Sequence, residues 1–216
     1  MIKAFIFDMD GVIIDSEPLH IESDKMVGRE FGIELTDEEL LQYVGMNDEW
    51  LWSKLAKKYK INTAIDEILE MQYLNKIKLL ETGKFQKIKG VDDLISDLRV
   101  KGIKTALASS SAVRFIQSVL DKLELTDSFE VTVSGEDVEN GKPAPDIFLR
   151  AAELLNVSPK ECVVLEDAMH GINGAKKAGM KCIGFKNPNS GNQDLSNADK
   201  IVYTLEGLDY ENFPVK

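Results

Sequence analysis

The chain has 216 residues, which is enough for one sizeable hydrophobic core or for a core domain with a smaller second domain. Its formal net charge of −11 argues against a nucleic-acid or anionic-membrane surface, because both need clustered cations. The apolar N-terminal run is broken by Asp8, so we expect neither a signal sequence nor a membrane span there. We expect a cytoplasmic protein. Cys162 and Cys182 lack metal-site spacing and are expected to be buried and inert.

The first predicted element is a short strand at residues 3–7, with the sequence KAFIF. A continuous apolar run of this length is typical of a parallel strand that is buried on both faces. Asp8, Asp10 and Gly11 follow it directly. Such a cluster is most often a solvated turn, so a functional interpretation requires partner groups elsewhere in the chain.

Residues 14–87 carry helical periodicity with almost no strand signal. The predicted helices span 18–32, 48–59 and 63–81, and a further one starts with a capping box at Thr36. A helical block placed after the first strand of an α/β domain predicts an inserted all-α cap domain. Its two connections, near 14–17 and 82–90, are the expected hinges.

From residue 88 onward, short β-type runs alternate with amphipathic helical segments. The predicted strands are 104–108, 129–134, 162–166, 181–185 and 201–204, and the predicted helices are 91–102, 112–123, 146–156 and 168–179. This alternation predicts an α/β fold with a doubly wound parallel sheet, formed by residues 1–13 and 88–216.

Polar side chains lie at or beyond the ends of four of the predicted strands. They are Asp8 and Asp10, then Ser109, Ser110 and Ser111, then Lys142, and finally Glu166 and Asp167. Ligands of a doubly wound sheet bind outside the C-terminal ends of its strands, so we expect these groups to meet. Clustered carboxylates repel one another unless a hard divalent cation lies among them, which predicts Mg²⁺. Lys142 and the Ser109 hydroxyl would then hold a phosphoryl group next to an aspartate nucleophile.

The residues around these strand ends also resemble a known family. The stretches DMDGVIIDSEPLH, LASSS, GKPAPDIF and VLEDAMHGINGAKKAGM are similar to the ordered motifs of the haloacid dehalogenase superfamily. The resemblance is to the subgroup with β-phosphoglucomutase and small sugar-phosphate phosphatases. It covers essentially the whole core and the position of the helical insert, and it implies a Rossmann-like core with a helical cap.

The resemblance implies a role for each strand-end residue. Asp8 would be the nucleophile that becomes an aspartyl phosphate, and Asp10 would be the general acid and base. Ser109 and the backbone at Ser110 would bind the phosphoryl group, and Lys142 would neutralise its charge. The implied Mg²⁺ ligands are Asp8, the Asp10 carbonyl and Asp167. Glu166 would either bind the ion directly or contact the groups that bind it.

Three residues of the insert are further candidates for contact with substrate. His20 lies near the first hinge, where the mutase-like pattern also has a histidine, and it would touch substrate or position Asp10. Gly45 and Met46 precede the helix predicted at 48–59. Simpler interpretations stay open for the core residues: Ser111 and Asp167 are both good N-caps for the helices that follow them, and Lys142 alone would be a solvated surface lysine.

The reaction type remains open between several classes. Dehalogenation is disfavoured, because expelling a halide needs no acid at Asp10, whereas a positioned acid gains about two to four powers of ten when an alkoxide leaves phosphate. A β-phosphoglucomutase needs a cationic site for a second phosphate, and the pattern's arginine is replaced here by the segment Asn47, Asp48 and Glu49. Polar residues expected after Ser111 are also missing.

We therefore expect a Mg²⁺-dependent phosphatase of a small phosphorylated metabolite, with the mutase as the alternative. Lys76, Lys78 or Arg114 would have to supply the missing cation in a mutase. A phospho-receiver module is the non-enzymatic alternative, but it has no use for a helical lid or for the second acid. We expect a monomer whose partner is the small substrate, with no nucleic acid and no membrane.

Overall fold

A computed structural model describes residues 1–43, 47–82 and 85–212. The chain divides into two compact units, which we call the core unit, Met1–Asp15 with Lys87–Lys216, and the helical unit, Ser16–Gln86. The boundaries expected at 13/14 and 87/88 lie within two residues of this division. The assignment of catalytic and cap roles to the two units stays a prediction.

The core unit is built on a six-stranded sheet in which every pairing is parallel. Its strands are β1 Ala4–Phe7, β2 Lys104–Ser109, β3 Val131–Ser134, β4 Cys162–Glu166, β5 Lys181–Phe185 and β6 Lys200–Val202. Their order is β3-β2-β1-β4-β5-β6, which confirms the doubly wound fold. The order reverses between β1 and β4, and the crevice outside that reversal is the usual ligand site of such sheets.

The helices follow the predicted pattern to within two residues at each end. In the helical unit they are α1 Glu17–Glu30, α2 Asp37–Leu40, α3 Asp48–Tyr59 and α4 Ile65–Glu81; in the core unit they are α5 Val91–Val100, α6 Val113–Lys122, α7 Asp146–Leu154 and α8 Met169–Lys177. One half of the predicted capping box is present, because the Thr36 hydroxyl accepts a hydrogen bond from the Glu39 N–H at the start of α2. The Glu39 carboxylate instead accepts hydrogen bonds from Lys58 and Tyr59.

Strand β1 is covered on both faces, as its uninterrupted apolar sequence predicts. Ile6 belongs to a buried cluster with Phe148 of α7 and other side chains of the helices on one face. On the other face the Phe5 ring lies 5.6 Å from the Tyr210 ring, with Phe7 beside it. The packing holds β1 from both sides and so fixes the position at which Asp8 leaves the sheet.

The helical unit has its own hydrophobic core. Its buried members are Val27, Leu35, Leu40, Leu51, Trp52, Leu55 and Ile68. Among the described residues, no helix in either unit is long and apolar enough to cross a membrane. Cys162 in β4 and Cys182 in β5 are buried and form no disulfide, as expected. Burial raises the pKa of both thiols, which disfavours the reactive thiolate form.

Candidate active site

Asp8 continues the line of β1 by one residue beyond the strand. Its N–H donates to the Leu165 carbonyl at 2.9 Å, which extends the pairing with β4. The chain then turns sharply at Gly11, whose φ of 74° favours glycine. A Cβ at Gly11 would lie 1.9 Å from Asp167 Oδ2, so a glycine here also lets the Asp167 carboxylate approach the turn. The turn and β4 thereby bring Asp8 and Asp167 to one place.

Lys142 reaches this place from the loop after β3. Its ammonium donates to Asp8 Oδ1 at 2.6 Å, to Glu166 Oε1 at 2.8 Å and to the Ala108 carbonyl at 3.1 Å. The side chain is 7% exposed, so the solvated surface lysine suggested by its local sequence is wrong. Burial alone would lower the pKa of Lys142, but the Asp8 and Glu166 carboxylates raise it above its ordinary value and keep the side chain charged.

Glu166 is held on both of its oxygens. Oε1 accepts from Lys142, and Oε2 accepts from the Ala168 N–H at 2.9 Å. The start of α8 packs closely against the carboxylate, because a Cβ at Gly171 would lie 1.5 Å from Oε1. Glu166 therefore links the end of β4 to both Lys142 and α8.

The side chains of Asp8, Glu166 and Asp167 form a buried acidic cluster. Each offers a carboxylate oxygen, and these oxygens all lie within 4.8 Å of one another. Burial, together with the charge of the neighbouring acids, raises the pKa of Asp8 and the pKa of Asp167 above their ordinary values. Lys142 offsets only part of the negative charge. Three buried hard-oxygen donors with an excess of negative charge fit a divalent cation such as Mg²⁺, and these residues could hold one.

The Asp10 carboxylate faces serine hydroxyls. Asp10 Oδ2 accepts from the Ser111 hydroxyl at 2.9 Å and from the Ser109 hydroxyl at 3.4 Å. Ser109 Oγ in turn accepts from the Ser111 N–H at 3.1 Å, and Ser110 is exposed just beyond β2. The structure therefore brings Asp10 and Ser109 together at the ends of β1 and β2. The role of the Asp10 carbonyl as a metal ligand, which the resemblance implies, stays a prediction.

Two serines near the site make contacts that the sequence does not predict. Ser111 resembles a helix cap in its local sequence, but α6 begins at Val113 and Ala112 is at its N-cap, without a capping side chain. Asp167 is not a cap either, since Ala168 holds that position before α8. Asp167 Oδ2 instead accepts a hydrogen bond from the Ser190 hydroxyl, from the loop after β5. The only sequence signal for Ser190 was its place beyond the end of a strand.

The helical unit contains a polar cluster, formed by the buried side chains of Asp24, Gln72 and Lys76 and the partly exposed side chain of Asp48. Gln72 Nε2 donates to Asp24 Oδ1 at 2.6 Å and to Asp48 Oδ1 at 3.1 Å. The Lys76 ammonium donates to Asp48 Oδ2 at 2.6 Å, and its side chain is only 4% exposed. Burial, with Asp48 adding to it, raises the pKa of Asp24 to about 6. Lys76 thus has an acidic partner inside the unit.

The predicted cap residues have different outcomes. His20 lies in α1, near enough to the Asp24 and Asp48 carboxylates to favour their ionised forms. Its contact with substrate stays a prediction. Gly45 and Met46 lie outside the described residues.

The strand order and the acidic cluster at its reversal define a doubly wound α/β protein with a carboxylate-based site. The family model described as haloacid dehalogenase-like hydrolase matches residues 5–185. The chain belongs to this family and is an enzyme, as the resemblance of its motifs predicted.

Relatives with assigned names include phosphatases and a mutase. The chain is 34% identical over 181 residues to a phosphorylated carbohydrates phosphatase of Thermotoga maritima, covering 84% of this chain and 83% of the relative. It is 32% identical over 215 residues to the β-phosphoglucomutase of Bacillus subtilis, covering 97% and 92%. A third relative, the chloroplastic protein SUPPRESSOR OF QUENCHING 1 of Arabidopsis thaliana, is 35% identical over 191 residues, and the chain spans 18% of its length.

The fold is also similar to that of solved structures. The crystal structure of the β-phosphoglucomutase of Clostridium difficile superposes with a TM-score of 0.84 at 27% identity, covering 98% of this chain and 95% of that chain. The similarity therefore covers residues of both the core unit and the helical unit.

Proposed function

We propose that this protein is a Mg²⁺-dependent phosphatase of a small phosphorylated metabolite, in particular a sugar phosphate. The observation that carries the proposal is the buried contact of Lys142 with both Asp8 and Glu166, at the reversal of strand order. This contact places a permanent cation against the proposed nucleophile. The Thermotoga maritima relative, named for phosphorylated carbohydrates, supports a sugar phosphate as substrate.

In the first proposed step, an Asp8 carboxylate oxygen attacks the phosphorus of the substrate. The bond from phosphorus to the leaving oxygen breaks, and Asp10 gives that oxygen its proton. Lys142 stabilises the negative charge on the phosphoryl oxygens, because it is cationic and buried. Mg²⁺ held by Asp8, Glu166 and Asp167 would supply further positive charge at the same oxygens.

In the second step, Asp10 acts as a base. Its carboxylate accepts a proton from water while the water oxygen attacks phosphorus, and the bond to Asp8 breaks. Phosphate leaves and both aspartates return to their starting states. The hydrogen bond from the Ser111 hydroxyl to Oδ2 orients the Asp10 side chain for both transfers, as a carboxylic acid in the first step and as a carboxylate in the second.

The choice of phosphatase over mutase is supported by the pairing of Lys76. A mutase must bind a second phosphate, which needs a cation that is not already neutralised. Lys76 is one possible source of that cation, but its buried ammonium is paired with Asp48. Burial raises the pKa of Asp48, yet the charge of Lys76 favours the ionised carboxylate and the pKa is lowered overall. A substrate with a single phosphate is compatible with this arrangement.

The contacts of Asp10 weaken the phospho-receiver alternative. A receiver needs an acidic pocket, Mg²⁺ and an aspartyl phosphate, but it has no use for a second acid like Asp10 that is oriented by serines. Family membership with named phosphatases also favours turnover over signalling.

The test is a panel of phosphorylated metabolites incubated with the protein and Mg²⁺. Each reaction is scored for released phosphate, and β-glucose 1-phosphate is also scored for conversion to glucose 6-phosphate with the bisphosphate activator present. Phosphate release without conversion is the expected result. Conversion with little release would establish the mutase, and neither activity, with a slowly decaying aspartyl phosphate, would establish the receiver.

A further inference from the structure

The loop after β5 makes three hydrogen bonds near the site: to the turn at Gly11, to the acidic cluster and to Asp15. Asn187 Nδ2 donates to the Gly11 carbonyl at 2.9 Å, although 176 residues separate the two. The Ser190 hydroxyl donates to Asp167 Oδ2, and Asn189 Nδ2 donates to Asp15 Oδ2 at 2.6 Å. We call residues 187–190 the bracing segment. No motif of the sequence predicted a role for it.

The bracing segment is held by its own hydrogen bonds as well. Asn187 Oδ1 accepts from the Asn189 N–H at 2.9 Å, which forms a local turn around Pro188. Asn187 and Ser190 are both buried, at 3% and 5% exposure. Burial and hydrogen bonds therefore hold the polar atoms of both side chains against the site.

Ser190 and Gly11 together fix the Asp167 carboxylate. Oδ2 accepts a hydrogen bond from the Ser190 hydroxyl on one side. On the other side it is so close to Gly11 that a Cβ added there would lie 1.9 Å from it. A Cβ at Gly11 would also come within 2.9 Å of Ser190 Oγ, so the three groups share one tightly filled volume. Rotation of the carboxylate away from this position would break its hydrogen bond with Ser190.

We propose that Ser190 and Asn187 are positioning residues for a divalent cation, with Ser190 orienting the Asp167 carboxylate and Asn187 fixing the turn that carries Asp10. Residues that hydrogen-bond to metal-ligating carboxylates set the orientation of the ligand, and their loss typically costs about 10- to 100-fold in metal affinity. This inference rests on the proposed Mg²⁺ site, but it concerns residues outside the family motifs.

The test measures binding of Mg²⁺ alone to the full chain by isothermal titration calorimetry. We expect Ser190→Ala to raise the dissociation constant about 10- to 100-fold, and Asn187→Ala to raise it in the same direction. The matched controls are Ser196→Ala and Asn197→Ala, which remove exposed side chains of the loop that follows. Both controls are expected to bind Mg²⁺ as the wild type does.

A second readout separates positioning from damage to the fold. If Ser190 orients a metal ligand, phosphatase activity of Ser190→Ala recovers as the Mg²⁺ concentration is raised, and the thermal unfolding midpoint without Mg²⁺ stays close to that of the wild type. Asn187→Ala provides an independent answer if Ser190→Ala does not fold.

Three outcomes would overturn the inference. Wild-type Mg²⁺ affinity in both Ser190→Ala and Asn187→Ala would refute it while leaving the phosphatase intact. Equal weakening in Ser196→Ala and Asn197→Ala would show that any change in the loop suffices. Absence of Mg²⁺ binding by the wild type would remove the proposed cofactor and this inference together.

Discussion

The Lys142 ammonium lies 2.6 Å from Asp8 Oδ1, although 134 residues separate the two in the chain. Strand β1 delivers the acid, and the loop after β3 delivers the lysine across β2. The pair is buried, so neither charge is well solvated and each depends on the other. This contact is the basis for the first prediction.

Lys142→Met keeps the length of the side chain but removes its charge. We expect kcat/KM to fall by roughly 10²- to 10³-fold, because a positioned cation no longer stabilises the phosphoryl oxygens. The thermal midpoint should also fall, since Asp8 and Glu166 lose a buried partner. Lys122→Met, at an exposed position in α6, is the control. Activity of Lys142→Met within twofold of the wild type would contradict the assignment.

Asp8→Asn should abolish turnover, because an amide in place of the carboxylate cannot form an acyl phosphate. Mass spectrometry of the acid-quenched wild type with substrate should show a phosphoryl adduct on a peptide that contains Asp8. The adduct should be missing from Asp8→Asn. Substantial residual hydrolysis by the variant would remove Asp8 from the role of nucleophile.

Asp10→Asn should separate leaving groups by their need for a proton. Hydrolysis of an alkyl phosphate ester is expected to fall by about two to four powers of ten, whereas transfer from an acyl phosphate, whose leaving group needs no proton, should be little changed in its first step. The measurement is a pre-steady-state comparison of both substrates. Equal losses on the two would mean that the Asp10 side chain does not act as the acid.

Gly171→Ala tests the packing of α8 against Glu166. A Cβ at this position would lie 1.5 Å from Oε1, so Glu166 must move and its contact with Lys142 weakens. We expect lower activity and weaker Mg²⁺ binding. Gly141→Ala is the matched control, because a Cβ there meets no atom within 4 Å. Similar behaviour of the two variants would show that the position of Glu166 does not matter.

Asp24 predicts a pH dependence of stability in the helical unit. Burial, with Asp48 adding to it, raises the pKa of Asp24 from 3.8 to about 6, so between these pH values the folded state binds more protons than the unfolded state. The free energy of unfolding of the helical unit should therefore fall by roughly 1–3 kcal/mol as pH rises from 4 to 6. Asp48 has a lowered pKa and acts in the opposite direction, but its effect lies below that window.

Asp24→Asn should remove this fall in stability. Trp52 Nε1 and Gln72 Nε2 both donate to Oδ1, so an asparagine can keep both hydrogen bonds without the charge. The measurement is urea unfolding at pH 4 and pH 6, followed by tryptophan fluorescence, because both tryptophans lie in the helical unit. Glu67→Gln, an exposed acid of α4, is the control. An unchanged fall in Asp24→Asn would assign the effect to another group.

Much of the fold follows from local patterns in the sequence. The apolar run before Asp8 predicts β1, because a strand covered on both faces needs no polar alternation. The alternation of strands and helices after residue 88 predicts the parallel sheet, and the end of each strand is where a chain can place polar groups at the ligand edge. Asp8, Lys142, Glu166 and Asp167 could therefore be proposed together before any distance was known.

The partners of these residues could not be read in the same way. Ser111 looks like a helix cap in its local sequence, yet its hydroxyl lies against Asp10. Lys76 looks like a free cation, yet Asp48 neutralises it from another helix. A hydrogen bond or an ion pair depends on distances of about 3 Å between atoms from different elements, and local sequence patterns carry no information on that scale.

The sequence alone therefore determined the class of sheet, the inserted helical unit and the acids at the strand ends, because periodicity and strand-end placement are local properties. The tertiary structure was needed to assign Lys142 to Asp8 and Glu166, and Ser190 to Asp167. These contacts join positions from 23 to 134 residues apart. They form because packing of the sheet and its loops fills one shared volume, which is a property of the folded chain as a whole.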